Sequence, residues 1–252
     1  MRLWIDTDVG TNPDDAVALV CADAHPEVDL VGVSIVGDDQ ERRAAIAREL
    51  VGAPVFRGDQ LSGALVRELD SEAVLAIGPL TNVASIVAQG YTPPKLALMG
   101  GALGSVRHRG AVRAVEHNFG SDPSAAAAVL TRLDGVLVCP LDVTARMRLD
   151  AAGLERLSRL APRIGEIAAR WLERQRVSGI SESDAVVCLH DPLALLAMVG
   201  EPVVATEERA LGVSVVGALT ERRDARSHEV VVDVDVDAAC DRIFGLLADR
   251  RR

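Results

Sequence analysis

Short apolar stretches rich in β-branched residues alternate along the chain with longer stretches in which apolar residues recur at helical spacing. The short stretches predict strands at Arg2–Ile5, Val28–Val36, Ala53–Phe56, Ala73–Ile77, Lys95–Met99, Val136–Pro140, Leu211–Val216 and Glu229–Val234. The longer stretches predict helices at Asp14–Ala24, Gln40–Val51, Leu80–Gln89, Asp122–Leu133, Ala151–Leu160, Ile164–Val177, Pro192–Val199 and Ala238–Ala248. Such alternation is typical of the α/β class, so we predict a mostly parallel central sheet with helices on both faces.

A single domain can contain all of the predicted strands and helices. The 252 residues suit one large domain or two small ones, and no low-complexity linker or internal repeat divides them. We therefore predict a single domain over residues 1–252. Ligands of such sheets bind in the crevice outside the carboxyl ends of the strands. Most polar clusters in this chain follow directly on a predicted strand, which places the expected site at that edge.

Charge and composition exclude several classes of protein. Lys and Arg number 27 against 37 Asp and Glu, and the net charge of −10 argues against a nucleic-acid-binding protein. No apolar run approaches the ~20 residues that cross a bilayer, and two early carboxylates argue against a signal peptide. The four cysteines lie far apart and form no CxxC pair. We therefore predict reduced thiols in a cytoplasmic protein with no membrane or nucleic-acid partner.

Four carboxylates crowd the segment that follows the first predicted strand. Asp6 and Asp8 point the same way if the strand geometry continues, and Asp14 and Asp15 open the next helix. Capping a helix requires one carboxylate rather than four on one loop. Crowded carboxylates repel one another unless a cation neutralises them, and oxygen ligands select Ca²⁺ or Mg²⁺. The sequence therefore predicts a metal site on this loop, with Asp6 ordering the loop rather than binding the ion.

Five short segments resemble, in the same order, the motifs of the inosine-uridine-preferring nucleoside hydrolase family. They are DTDVGTNPDDA at residues 6–16, IGPLTN at 77–82, MGGA at 99–102, EHNFGSDP at 116–123 and LHDPL at 189–193. Each motif is weak alone, but together they span nearly the whole chain. The resemblance implies a nucleoside hydrolase-like fold with a Rossmann-like core. It also implies calcium-dependent hydrolysis of the N-glycosidic bond of a ribonucleoside, giving ribose and free base, by a homodimer or homotetramer.

The resemblance further implies roles for individual residues. Calcium is expected to bind Asp8, Asp15, Asp191 and the main-chain carbonyl of Ile77. One water and two ribose hydroxyls would complete the coordination that Ca²⁺ prefers. Asp8 is also the expected general base for that water, and His190 is the expected acid for the departing base. The ribose is expected to contact Asp14, Asp38, Glu116, Asn118 and Asp191.

The sequence departs from the family pattern in the loops around this site. Val9 replaces the usual proline, and two extra residues lie between Gly10 and Asp14. Asp38 stands where asparagine is usual, which exchanges an amide for a group that only accepts hydrogen bonds. The segment 57–70 is shorter than the mobile loop usual in the family. A shortened lid predicts an open pocket, weak base selectivity or closure by a partner subunit.

Arginines surround one further departure. Gly110 stands where the family often has an asparagine, six residues before Glu116. The flanking Arg107, Arg109 and Arg113 have the forked geometry that phosphate accepts, so a 5′-nucleotide stays open as a substrate beside a nucleoside. A solvated loop is the simpler interpretation of this segment. Purine and pyrimidine bases both stay open.

Two other functions also stay open. The Asp6-x-Asp8 pair resembles the motif of haloacid-dehalogenase phosphatases, in which Asp6 would be the nucleophile and Mg²⁺ the metal. Lys95, the only lysine, would then have to hold the phosphoryl group. A non-catalytic calcium-binding member of the family would account for the departures from the family pattern. Retention of Asp14, which the metal alone does not require, argues against that second function.

Overall fold

A central sheet organises the protein in this computed structural model, which describes residues 1–250. The strands are β1 (Arg2–Thr7), β2 (Asp29–Ile35), β3 (Val55–Arg57), β4 (Ala73–Ala76), β5 (Leu96–Met99), β6 (Val106–His108), β7 (Ala111–Arg113), β8 (Leu137–Cys139), β9 (Val204–Val213), β10 (Leu219–Glu221) and β11 (Ser227–Val234). Nine of them form the sheet in the order β10-β9-β11-β8-β5-β4-β1-β2-β3, and β6 pairs with β7 in a separate hairpin. All sheet neighbours from β11 to β3 are parallel, whereas β9 and β10 pair antiparallel. The predicted mostly parallel sheet is confirmed.

Helices cover both faces of this sheet, as the sequence predicts. They are α1 (Asp14–Ala24), α2 (Gln40–Leu50), α3 (Gly63–Glu68), α4 (Thr81–Ala88), α5 (His117–Ser121), α6 (Pro123–Arg132), α7 (Leu141–Thr144), α8 (Ala151–Leu160), α9 (Pro162–Val177), α10 (His190–Val199) and α11 (Val236–Asp249). One buried apolar cluster receives side chains from α1, α2, α10 and α11, and the other from α4 and α6. Within β1, Leu3 and Ile5 enter the first cluster and Trp4 the second. Strands buried on both faces in this way are apolar at nearly every position.

The carboxyl ends of the central strands support the loops that carry the polar motifs. β1 lies between β2 and β4, and its Asp6 is paired in register with Ser34 and Ala76. Helix α1 starts shortly after β1 ends and packs against α10. The amino ends of α1 and α10 meet, since carboxylates in their first turns lie close together. The fold thus joins segments from opposite ends of the chain at the predicted edge.

Two local predictions are wrong. The strand predicted at Leu211–Val216 instead runs over Val204–Val213, because only one residue of β9 is fully buried and the strand lacks an apolar pattern. The segment 106–113, interpreted as a solvated loop, forms the β6–β7 hairpin. The short helix α5, at whose start Glu116 and Asn118 lie, is also missing from the sequence-based predictions.

The shortened segment 57–70 folds against the edge of the sheet rather than over the predicted site. It contains a 3₁₀ turn and α3, and Val66 packs in the same buried cluster as Trp4 and Tyr91. Arg57 pairs with Glu41 of α2 at 2.9 Å. None of its residues lines the cavity described below.

The longest helix, α9, has 16 residues, and no helix within residues 1–250 combines the length and apolar character of a membrane span. All four cysteines are free thiols. The single domain over residues 1–252 stays a prediction, and residues 251 and 252 lie outside the described residues.

Candidate active site

A cavity of about 430 Å³ opens at the carboxyl edge of the sheet. Its wall combines the loop after β1, the β6–β7 hairpin, α5, the middle of α9 and the start of α10. One part of the wall is acidic and contains Asp8, Asp14, Asp15, Glu116 and Asp191. Another part is basic and contains Arg109, Arg113 and Arg174. The cavity therefore offers a site for a cation and a separate site for anionic groups.

Three buried carboxylates form the centre of the acidic part. Asp14 and Asp15 lie in the first turn of α1, and Asp191 lies in the first turn of α10. One oxygen of each lies within 4.8 Å of the others. The structure brings Asp15 and Asp191 together, as the sequence analysis expects, and adds Asp14 to the same cluster.

Burial and mutual repulsion disfavour the ionised form of these carboxylates. Burial, reinforced by the charge of Asp8, raises the pKa of Asp14 to about 7. The pKa values of Asp15 and Asp191 lie well above the usual range, first because both are buried and then because neighbouring carboxylates repel them. At neutral pH the cluster must therefore hold protons or a cation.

Asp8 lies beside this cluster and close to a cationic side chain. Its Oδ2 is 3.8 Å from Nη1 of Arg43, and its side chain is 20% exposed. Burial raises the pKa of Asp8, and the Arg43 charge partly opposes that rise. Gly78 permits the turn after β4 to approach, because a Cβ there would lie 3.0 Å from the Asp8 backbone nitrogen and 2.6 Å from Val36 Cγ1. Any larger residue at position 78 would therefore shift the Val36 side chain and press on Asp8.

The oxygen atoms around the cluster fit a hard divalent cation. Within residues 1–250, no hydrogen-bond partner reaches the buried Oδ1 of Asp14 or the buried Oδ1 of Asn12, and both residues line the cavity. A buried polar atom without a partner destabilises the fold, and a cation or substrate bound in the cavity removes that cost. The Ile77 carbonyl accepts a 3.1 Å hydrogen bond from Asn118 Nδ2 and keeps a second lone pair. A donor set made only of oxygen favours Ca²⁺ or Mg²⁺ over softer metals.

Glu116 and Asn118 are fixed in the cavity wall by backbone contacts. The two Glu116 oxygens accept backbone N–H bonds from Gly101, Asn118 and Phe119 at 2.8–3.2 Å. Burial raises the pKa of Glu116, and these donors oppose the rise. Glu116 therefore caps α5 and presents a rigid acceptor to the cavity.

His190 is buried in the wall at the start of α10. Its Nδ1 lies 2.9 Å from Thr144 Oγ1, and its ring meets His108 edge-on with centroids 5.2 Å apart. Burial lowers the pKa of His190 well below the usual range, and His108 and Arg109 lower it further. The imidazole is therefore neutral near pH 7 and carries its proton on Nε2 when the Thr144 hydroxyl donates to Nδ1.

Two residues expected near the site lie elsewhere. Asp38 does not line the cavity, because Arg43 donates to its Oδ1 at 3.1 Å and to its carbonyl at 2.8 Å and holds the side chain in solvent. The structure therefore separates Asp38 from the other predicted ribose contacts. Asp6 Oδ1 accepts hydrogen bonds from Asn82 and Ser34, so Asp6 ties the end of β1 to β2 and α4, in keeping with an ordering role.

Several residues of the cavity wall have no role in the sequence interpretation. The lengthened loop before α1 carries Asn12, and the arginine-rich hairpin carries His108; both features were visible in the sequence without indicating a cavity. Trp171 and Arg174 reach the cavity from α9, whose amphipathic pattern is that of any surface helix. The wall thus includes residues that only tertiary contacts reveal.

The position of Lys95 contradicts the phosphatase alternative. Lys95 directly precedes β5, at the amino end of the strand, and its Nζ donates to the Met198 carbonyl at 2.6 Å. The acidic cluster lies at the opposite edge of the sheet. Lys95 therefore cannot hold a phosphoryl group beside Asp6.

Comparison with known proteins identifies the family. The family model described as inosine-uridine preferring nucleoside hydrolase matches residues 57–241, which include the four later motifs. The chain is 27% identical to uridine nucleosidase 1 of Arabidopsis thaliana over 255 residues, covering 79% of this chain and 74% of that protein. It is also 27% identical to the non-specific ribonucleoside hydrolase RihC of Escherichia coli over 248 residues, covering 93% of this chain and 72% of that protein.

A solved structure shows the same fold. The plant nucleoside hydrolase PpNRh1 matches with a TM-score of 0.81 and 18% identity over 98% of each chain. The predicted fold class and the prediction of a hydrolase acting on N-glycosyl bonds of ribonucleosides are confirmed. This chain belongs to the inosine-uridine preferring nucleoside hydrolase family.

Proposed function

We propose that this protein is a calcium-dependent enzyme that cleaves a ribonucleoside into ribose and free base at the cavity described above. The observation that carries the proposal is the meeting of Asp14, Asp15 and Asp191 in a cavity of a nucleoside hydrolase family member. The names of the two relatives, a uridine nucleosidase and a non-specific ribonucleoside hydrolase, support a ribonucleoside as the substrate.

The metal would be held by Asp8, Asp15, Asp191 and the Ile77 carbonyl. When bound, calcium supplies a Lewis acid that orients a water and two ribose hydroxyls. Asp14 Oδ1, which no donor within residues 1–250 reaches, accepts a hydrogen bond from one of those hydroxyls. The sugar is thereby held against the acidic part of the wall.

Protein side chains then move the protons. Asp8 takes a proton from the attacking water, and its raised pKa brings it nearer the pH at which a general base is most effective. The remaining carboxylates stabilise the positive charge that develops on the sugar. The departing base accepts a hydrogen bond from His190 Nε2–H, in the tautomer in which the Thr144 hydroxyl donates to Nδ1, and takes its proton from solvent. Because burial keeps His190 neutral, the imidazole serves as a hydrogen-bond donor rather than as the expected acid.

The test is release of ribose from inosine, uridine, cytidine and adenosine, measured as reducing sugar with calcium and with excess chelator. Calcium-dependent release from at least one nucleoside is the expected result. Release that is equal in chelator contradicts the calcium assignment. If neither nucleosides nor nucleotides release sugar, the non-catalytic calcium-binding function replaces the proposal.

One observation favours a 5′-nucleotide as a second candidate substrate. Arg109 Nε is buried and, within residues 1–250, has no hydrogen-bond partner, while its guanidinium lies 5.0 Å from the Trp171 ring centre. Arg113 and Arg174 line the same part of the wall. Inosine and uridine 5′-monophosphates therefore belong in the substrate panel. A higher kcat/KM for the nucleotides than for the nucleosides, lost in Arg109→Ala, would support this candidate.

We expect Asn12→Ala to raise KM about tenfold with little change in kcat. Asp38 faces solvent and does not reach the cavity. Asn12 of the lengthened loop lines the cavity, so its amide takes the place of the amide that position 38 lacks. Steady-state kinetics on the best nucleoside measure the change, and a calcium titration checks that the metal site is intact. An unchanged KM would show that Asn12 does not contact the substrate.

We expect calcium to stabilise the fold more at about pH 8 than at about pH 5. Without metal, the pKa of Asp14 is about 7 in the folded protein and about 3.9 in the unfolded chain. Between these two pH values the folded state binds more protons than the unfolded state. The metal-free fold therefore loses stability as the pH rises from about 4 to about 7. Calcium replaces those protons, and at a hundredfold excess over Kd it adds about 2.7 kcal/mol, or about 5–10 °C in Tm. Thermal unfolding with calcium or chelator at both pH values measures this, and an equal gain at both would contradict it.

The assembly and location of the protein follow as proposals. A homodimer or homotetramer is supported by the exposed apolar tip between β9 and β10, where Val215 is 95% and Val216 62% exposed. Light scattering of the purified protein measures the assembly, and a monomer would contradict it. A cytoplasmic location is supported by the four free thiols.

A further inference from the structure

Two imidazoles and one thiol meet in the wall of the cavity, and the mechanism uses only one of them. His108 ends β6, Cys188 precedes α10 by two residues, and His190 begins α10. One donor atom of each lies within 4.8 Å of the other two, and all three residues are buried. This group contains nitrogen and sulfur donors, whereas the nearby calcium cluster contains only oxygen.

We propose that His108, Cys188 and His190 form a second metal site that binds Zn²⁺ and leaves one coordination position open to the cavity. Tetrahedral zinc with bonds of about 2.0–2.3 Å spaces its nitrogen and sulfur ligands about 3.4–3.6 Å apart. The three donors, which lie within 4.8 Å of one another, must therefore approach by at most about 1.4 Å. Nitrogen and thiolate ligands suit zinc and are poor ligands for calcium, so the two sites select different metals.

The surroundings prepare these donors for a metal. Thr144 Oγ1, 2.9 Å from His190 Nδ1, can accept its proton and leave the Nε2 lone pair for the metal, as ligand histidines commonly require. An isolated backbone bridge to Arg148 fixes the strand position of Cys188. Burial, with Arg109 next in effect, lowers the pKa of His108 to about 4, so this imidazole is unprotonated at neutral pH.

Binding exchanges a proton for the metal. Burial raises the pKa of the Cys188 thiol to about 12, so the sulfur–hydrogen bond breaks as the zinc–sulfur bond forms, and one proton passes to solvent. No electron is transferred and no other reactant is needed. Zinc affinity therefore rises about tenfold per pH unit below that pKa.

The site has a consequence for turnover that rests on the proposed function. Zinc on His190 Nε2 occupies the atom that hydrogen-bonds to the departing base. Zinc is then a reversible inhibitor that acts even when calcium is saturating. The binding itself does not depend on any assumption about the substrate.

The test uses the calcium-loaded protein without substrate, titrated with Zn²⁺ and, as a spectroscopic probe, with Co²⁺. We expect one zinc per chain and a thiolate-to-cobalt charge-transfer band. Cys188→Ser removes the band, and Cys188→Ser and His108→Ala each weaken zinc binding about 100-fold. Cys240→Ser is the matched control, because Cys240 is a free thiol outside the cavity, and it keeps both properties.

Two outcomes would overturn the site: no charge-transfer band in the wild-type protein, or wild-type zinc affinity in both variants. His108→Ala changes the hairpin rather than the core, so it keeps the test decisive if Cys188→Ser fails to fold. Turnover is measured separately. Zinc binding that depends on Cys188 but leaves ribose release unchanged supports the site and contradicts the proposed contact of His190 with the departing base.

Discussion

Asp191→Asn lowers ribose release by about 10³-fold and weakens calcium binding by more than about 100-fold. Asp191 is buried at the start of α10, within 4.8 Å of oxygens from Asp14 and Asp15, so the substitution removes one charge from the centre of the cluster. Residues that merely support metal ligands cost about 10–100-fold in affinity when they are replaced. A direct ligand therefore costs more.

Isothermal titration with calcium and steady-state kinetics measure the two effects. Asp235→Asn is the matched control, because Asp235 also starts a helix, where its Oδ1 accepts from the Ala238 backbone nitrogen, and it lies outside the cavity. The control separates loss of a carboxylate charge at the start of a helix from loss of a metal ligand. Normal calcium affinity in Asp191→Asn would remove Asp191 from the metal site.

The elements nearest the site were the most predictable from sequence. Helix α1 begins and ends at the predicted Asp14 and Ala24, because its apolar spacing and its acidic first turn are local signals. Strand β9 was misplaced because only one of its residues is fully buried and its position depends on antiparallel pairing with β11. Local patterns therefore identify buried parallel strands better than the exposed antiparallel edge.

The residues of the candidate site also fall into a group that could be predicted from the sequence and a group that could not. The family resemblance carried by the motifs was enough to suggest that Asp15 and Asp191 meet, since it implies that both bind one metal. The orientation of Asp38 depends on Arg43, a contact that no motif encodes. The grouping of His108 with Cys188 depends on how a hairpin packs against α10, and the two residues are far apart in the chain. Side-chain direction was therefore the part that sequence reasoning could not supply.

Asp8→Asn lowers kcat at saturating calcium by about 10³–10⁴-fold, although calcium binds more weakly than to the wild type. The amide keeps an oxygen for the metal and the shape of the side chain, but it cannot take a proton from water. Asp8 lies beside the group of three carboxylates rather than within it, so that group retains its charge. Removing a carboxylate whose pKa is raised by burial also relieves repulsion, so the metal-free variant unfolds at a higher temperature than the wild type near pH 8.

The pH dependence of the residual rate distinguishes a lost base from a damaged site. With Asp8 gone, hydroxide must supply the attacking oxygen, so the residual rate rises steadily with pH where the wild-type rate has levelled off. Asp39→Asn is the matched control, since Asp39 is an exposed carboxylate that pairs with Arg42 at 2.5 Å outside the cavity, and it keeps the wild-type profile. If Asp8→Asn keeps near-normal turnover, another group takes the proton. If raised calcium restores turnover, the loss of activity came from weaker metal binding, and the base role of Asp8 is wrong.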